Sequence, residues 1–156
     1  MGKKTNNKAI VFLTAIVIIL TALVLLDTYL ISTVTVRGDS MKPSLSCGDR
    51  LLVDISSRAF KEIDYKDIVI FESPKDPDQN FVKRVIATEG QEFSISEGEL
   101  IVDGENLCED YIECDDYRFK NYNVVSGVVP ENKVYLLGDN RNSSNDSRNF
   151  GYISTN

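Results

Sequence analysis

From Ala9 to Leu26 the chain reads AIVFLTAIVIILTALVLL, without one charged side chain. Few folds accept such a run. As a helix its 18 residues reach about 27 Å, close to the roughly 30 Å hydrocarbon core of a bilayer. Thr28 to Ile31 can carry the helix into the interface, so a transmembrane helix is predicted over 9–31. A cleaved secretory signal competes with this reading, but its apolar stretch runs about 7–15 residues and ends in small side chains. Here the run ends in leucines followed by Asp27, with no Ala-x-Ala step. A buried helix of a soluble core is the third form. Lys3, Lys4 and Lys8 precede the run and no acid does. By the positive-inside rule, residues 1–8 stay in the cytoplasm and residues 32–156 form an extracytoplasmic domain on a single-pass anchor in the cell membrane, in contact with its lipid.

Every acid lies at or beyond Asp27, and the whole chain has 17 basic and 24 acidic side chains for a net charge of −7. That balance favours solubility and excludes a nucleic-acid surface, which needs clustered Lys and Arg. Beyond the span, apolar residues recur with period two, the mark of half-buried strands. Strands are predicted at Thr33–Arg37, Arg50–Asp54, Asp67–Glu72, Phe81–Thr88, Glu92–Ser96, Glu99–Asp103, Val124–Val129 and Lys133–Leu137. Glu97-Gly98 and Asp103-Gly104 read as turns, which makes 92–96 and 99–103 a hairpin. Pro74 and Pro77 mark a loop. No helical stripe appears outside the span. The fold class is therefore mainly β and antiparallel, with one N-terminal transmembrane helix and a domain large enough for its own core.

The three cysteines, Cys47, Cys108 and Cys114, match no CxxC pair. With no histidine in the chain, no metal site is expected. Cys108 and Cys114 can bridge in an oxidising compartment or stay as free thiols. Cys47 is expected to be a small packing residue.

The absence of histidine also bears on nucleophilic chemistry. Gly38-Asp39-Ser40-Met41-Lys42-Pro43-Ser44-Leu45 follows the span closely. A serine hydroxyl needs a base to take its proton, and a Ser-His-Asp arrangement is impossible here. Lysine is the first alternative. Phe81-Val82-Lys83-Arg84-Val85-Ile86 sets a lysine in an apolar strand, sharing a face with Phe81 and Val85, while Arg84 shares the other with Val82 and Ile86. Desolvation there disfavours the charged amine and brings it toward the range of a working base. The strand pattern equally permits an amine that snorkels to water. A Ser-x-x-Lys motif is excluded, since Pro43 stands three residues after Ser40, and no Gly-x-Ser-x-Gly elbow surrounds it.

The stretch Gly138-Asp139-Asn140-Arg141-Asn142-Ser143-Ser144-Asn145-Asp146-Ser147-Arg148-Asn149-Phe150-Gly151 holds two Asp, two Arg and three Ser. Such a loop can hold a neutral lysine through a hydroxyl and match its carboxylates to guanidinium groups. It mimics a calcium loop but lacks the Gly and terminal Glu of an EF-hand. Its Asn-x-Ser triplets at Asn142 and Asn145 fit the glycosylation pattern.

Together these segments resemble the bacterial type I signal peptidases. GDSMKPSL is similar to the family's nucleophile box, KRV to its lysine box and GDNRNSSNDSRNFG to its late Gly-Asp-Asn box. Asp49-Arg50-Leu51-Leu52-Val53 is similar to the intervening strand, and the resemblance covers Thr33 to Gly151. It implies an antiparallel two-sheet catalytic domain and a membrane-anchored Ser-Lys endopeptidase, without cofactor, that cuts signal peptides from exported preproteins after small residues of the Ala-x-Ala type. Ser40 would be the nucleophile and Lys83 the base, with Ser144 orienting the amine. Asp146 would support the site with Arg148 as partner. Asp139 and Arg84 would be structural ion-pair members, and Arg141 belongs to the same box. Val34, Val36, Met41, Leu45, Phe81 and Val82 would wall the substrate pockets, with the substrate extended along Val34–Arg37. Gly38 stands where some members have a serine, so the oxyanion would rely on the Ser40 N–H and another donor. Self-cleaving repressor-type Ser-Lys proteases share the β core, but they are soluble and carry a DNA-binding domain. A non-catalytic, membrane-anchored β module binding an envelope partner is the remaining alternative.

Overall fold

The structure is a computed structural model that describes residues 7–55, 62–96, 98–112 and 125–155. Its elements run α1 (Asn7–Leu30), β1 (Ile31–Thr35), β2 (Arg50–Asp54), β3 (Ile68–Ser73), β4 (Asp76–Thr88), β5 (Glu92–Ser96), β6 (Glu99–Val102), β7 (Glu105–Leu107), β8 (Val125–Val128), β9 (Lys133–Leu137), α2 (Ser147–Phe150) and β10 (Ile153–Ser154). The chain divides into two units. One is Met1–Val34 with Arg50–Glu62, the other Thr35–Asp49 with Ile63–Asn156.

The first unit holds α1 and the β1–β2 pair. Aliphatic residues without Gly or Pro give the helix its continuity. Its described side chains end at Ala22, and among the described residues no helix is long and apolar enough to cross a membrane. β1 starts and stops two residues before the predicted strand, which leaves Arg37 outside it. β2 occupies the predicted Arg50–Asp54.

The second unit holds two antiparallel sheets, in the orders β10-β9-β4-β3 and β7-β6-β5-β8. Alternate residues of β5 and β6, namely Phe93, Ile95, Leu100 and Val102, pack against Ile86, Ala87, Tyr135 and Leu137 of the first sheet. Each such side chain stabilises the fold by about 1.5–3 kcal/mol on leaving water. The β5–β6 hairpin forms as predicted, pairing Phe93 with Val102 and Ser96 with Glu99, with β6 ending one residue before the predicted Asp103. Val85, Val134 and Leu136 form a second cluster with Ile63, Val69 and Phe71 packed against it. β4 thus buries both faces. Its register against β9 shifts between Val85 and Ala87, so Ile86 and Ala87 both enter the larger cluster. A bulge of this kind breaks the strict alternation of a strand.

Other differences from expectation have local causes. Pro77 lies within β4, whose first residues pair only with β3, so no partner needs the missing N–H. β7 and β10 are short additions, β7 folding back on β6 across the Asp103-Gly104 turn. α2 is one turn of helix started by a capping side chain, too short to leave an apolar stripe. Glu97, Cys114 and Val124 lie outside the described residues, and with them the choice between a Cys108–Cys114 bridge and free thiols.

Candidate active site

Ser40 sits on a turn built by local rules. Gly38 has φ +83°, a left-handed conformation that favours glycine. The Lys42 N–H donates to the Asp39 carbonyl at 3.2 Å and the Leu45 N–H to the Met41 carbonyl at 2.8 Å. Met41, 1% exposed, anchors the turn in the core. Asn140 reaches it from the late loop: its N–H donates to the Ser40 carbonyl at 3.0 Å and its side-chain amide to the Asp39 carbonyl at 3.1 Å. Cys47 is exposed rather than packed. The Ser46–Asp49 turn directs it outward, fixed by the Ser46 N–H donating to Asp49 Oδ2 at 2.8 Å and the Gly48 N–H donating to the Val36 carbonyl.

Lys83 is 3% exposed and does not snorkel. Its Nζ donates to Ser40 Oγ at 2.8 Å and to the Val82 carbonyl at 2.8 Å. It stands 5.4 Å from the Phe81 ring centroid. Burial pushes the amine below its ordinary value of 10.5, against the opposing pull of the Asp146 and Asp139 carboxylates. The result is a hydroxyl and a desolvated amine in direct contact, 43 residues apart in the chain.

The late loop surrounds this pair with matched charges. Asp139, 1% exposed, takes a two-point grip from Arg84 at 2.8 and 2.6 Å. Arg84 also donates to Ser44 Oγ and to the Lys66 carbonyl, both at 3.1 Å. Asp146 is fully buried and accepts from Arg148 Nε at 2.8 Å, Arg148 Nη2 at 2.8 Å and the Gly138 N–H at 3.1 Å. The same carboxylate caps α2 through the Arg148 N–H. Gly138 lets the loop approach the nucleophile closely. A Cβ there would lie 2.5 Å from the Ser40 carbonyl oxygen and collide with Ser144.

Not every expected contact forms. Ser144 Oγ is buried with no hydrogen-bond partner, while the amine of Lys83 bonds to Ser40 and Val82 instead. Phe81 packs edge-on against Phe71 at 6.1 Å and lies 6.3 Å from Phe150. Val82 and Leu45 are half-buried, Val36 and Met41 fully buried. Val34 lies on β1, in the first unit. Sequence reasoning overlooked Asn140, Glu109 and Tyr111. Asn140 stood inside the late Gly-Asp-Asn box without a role of its own. Glu109, within a run of acids, gave no signal of its burial.

The family described as signal peptidase, peptidase S26, matches residues 9–156. A probable signal peptidase I-1 of Synechocystis is 38% identical over 125 residues, which are 76% of this chain and 62% of that protein. Signal peptidase IB of Staphylococcus aureus is 32% identical over 139 residues, 80% of this chain and 72% of that one. The chain thus spans less than two thirds of the cyanobacterial relative. The crystal structure of a signal peptidase I from Enterococcus faecalis is similar at a TM-score of 0.54 and 31% identity, over 62% of this chain and 93% of that one.

Proposed function

The chain belongs to the signal peptidase family, peptidase S26, and on that premise we propose that it is a membrane-anchored serine endopeptidase that removes signal peptides from exported preproteins. The observation that carries the reading is the 2.8 Å contact between Lys83 Nζ and Ser40 Oγ. In this reading Ser40 attacks the scissile carbonyl while neutral Lys83 takes its proton. The amine then protonates the leaving nitrogen and later activates the deacylating water. A neutral amine has one lone pair and two hydrogens. In the neutral, reacting form the lone pair accepts from the Ser40 hydroxyl, the reverse of the direction in which a charged amine donates across the same contact, and one hydrogen goes to the Val82 carbonyl. In this reading Ser144 Oγ, buried and making no hydrogen bond of its own, would turn to accept the other. Asp139 with Arg84 and Asp146 with Arg148 hold the loop through paired charges. The Ser40 N–H is one donor to the oxyanion. Specificity for small residues is assigned to the apolar side chains that flank Ser40 and Lys83 along the chain, namely Val34, Val36, Met41, Leu45, Phe81 and Val82.

Anchoring belongs to the same proposal. The 24 residues of α1 extend about 36 Å as a helix. Ile10, Val11, Phe12, Leu13, Val17, Ile18, Ile19 and Leu20 are each more than half exposed. That surface would cost free energy in water and costs none in lipid. The amino terminus is cytoplasmic and the β domain extracytoplasmic.

Cleavage of a preprotein with an Ala-x-Ala site, by the full chain in membranes, tests the reading. Wild type cleaves; Ser40→Ala and Lys83→Ala each lose at least about 10³-fold in rate. The rate rises with pH along a limb that lies below the ordinary lysine value of 10.5. Undiminished cleavage by Lys83→Ala, or a rate already flat in acid, removes the lysine base.

A further inference from the structure

Glu109 lies outside every motif of the sequence and is 4% exposed. A carboxylate so buried needs matched partners. It is paired with the Arg141 guanidinium, whose Nη1 donates to Oε2 at 3.1 Å, and it accepts from the Tyr111 hydroxyl at 2.6 Å. The Ile112 N–H donates to the Glu109 carbonyl at 3.2 Å and closes a tight turn around them. The Tyr111 ring lies 4.0 Å from the Arg84 guanidinium carbon. Lys66 fastens the outer side through Asp110 at 2.8 Å.

The far ends of these contacts lie on the site. Arg141 is 1% exposed, and its Nε donates to the Gly138 carbonyl at 3.1 Å. The residue between Asp139 and Arg141 is Asn140, which binds the Ser40 and Asp39 carbonyls. Arg84 reaches both Asp139 and Ser44. The short strap after β7 therefore grips the late loop from behind, and the late loop grips the nucleophile turn.

We propose that Glu109 is a positioning residue: acting through Arg141, it fixes loop 138–141 and so keeps Ser40 against Lys83. The geometric claim stands on these contacts alone, and its consequence for turnover rests on the peptidase reading above. Loss of the grip lets the loop drift and admits water to the amine, while Asp139 and Asp146 remain facing it.

The titration of Lys83, followed by NMR of lysine labelled at Cε in the full chain in micelles, tests this without requiring activity. Glu109→Gln removes the charge and keeps the shape. Glu109→Leu with Arg141→Met replaces the pair by apolar side chains that pack where a lone change does not fold. In the folded variants the midpoint rises by at least about half a pH unit, as returning water favours the charged amine. A midpoint unchanged from wild type in either folded variant overturns the proposal. In the cleavage assay Glu109→Gln lowers kcat about tenfold with KM unchanged, and Glu109→Asp recovers part of it. A rise in KM at constant kcat counts against positioning. Wild type that cleaves nothing sinks the peptidase reading, while the titration still decides the role of Glu109.

Discussion

Lys83 gives up hydration to stand beside Ser40, and that cost has a sign that experiment can read. Its folded-state value lies below 10.5. Between the folded and unfolded values the unfolded chain binds more protons, so stability rises with pH through that window; below it both states are charged and stability stays flat at its lowest. Lys83→Met removes the penalty. It raises stability at neutral pH by about 1–4 kcal/mol, and the gain shrinks as pH approaches 10.5; urea unfolding at several pH values measures it. An equal gain at every pH would separate the effect from protonation. Gly138→Ala acts in the opposite direction. Its Cβ meets the Ser40 carbonyl oxygen at 2.5 Å and the Ser144 Cβ at 2.6 Å, so neither neighbour yields cheaply. It destabilises by about 1–3 kcal/mol and abolishes cleavage in the same assay. At this scale the sequence exposes residue types but not burial. The spacing of Phe81, Lys83 and Val85 puts the lysine on an apolar face but does not tell a buried amine from one that snorkels to water. Glu109 carries no such signal, because the Arg141 that neutralises it lies 32 residues away.

Elements were legible where one period ruled them. The β5–β6 hairpin alternates cleanly and turns at a glycine, so the pairing of its two strands was legible in the pattern. β4 did not, because Val85, Ile86 and Ala87 are all apolar and nothing marks which of them breaks step. α2 escaped for a different reason. Its single turn is specified by one side chain, Asp146, whose cap also holds the Gly138 N–H and Arg148. Asp146→Ala therefore does more than lose a cap, since it also removes the two-point carboxylate partner of a guanidinium that is 6% exposed. The expected loss is about 3–5 kcal/mol, read as a lower urea midpoint. Asp146→Asn, which keeps an acceptor for the cap, falls between the two. A loss below about 1 kcal/mol would reduce Asp146 to an ordinary N-cap.

For the molecule as a whole, the uncharged run and the period-two pattern beyond it laid out a long N-terminal helix and a β domain. The bounds drifted by a few residues because helix and strand meet directly at Leu30 and Ile31. If α1 spans the bilayer, the protein stays with membranes through alkaline carbonate and leaves only with detergent. Release by carbonate would mean a peripheral attachment. The partition of charge has one more effect. Three lysines precede the apolar run and every acid follows its last leucine, so the chain is polarised end to end. If the β domain crosses the membrane of a cell whose inside is electrically negative, as proposed, export of the acidic part runs downhill in the field, by about 2.3 kcal/mol per charge for each 100 mV. An ionophore that collapses the voltage should then slow delivery of new copies to the outer surface, and leave those already there in place.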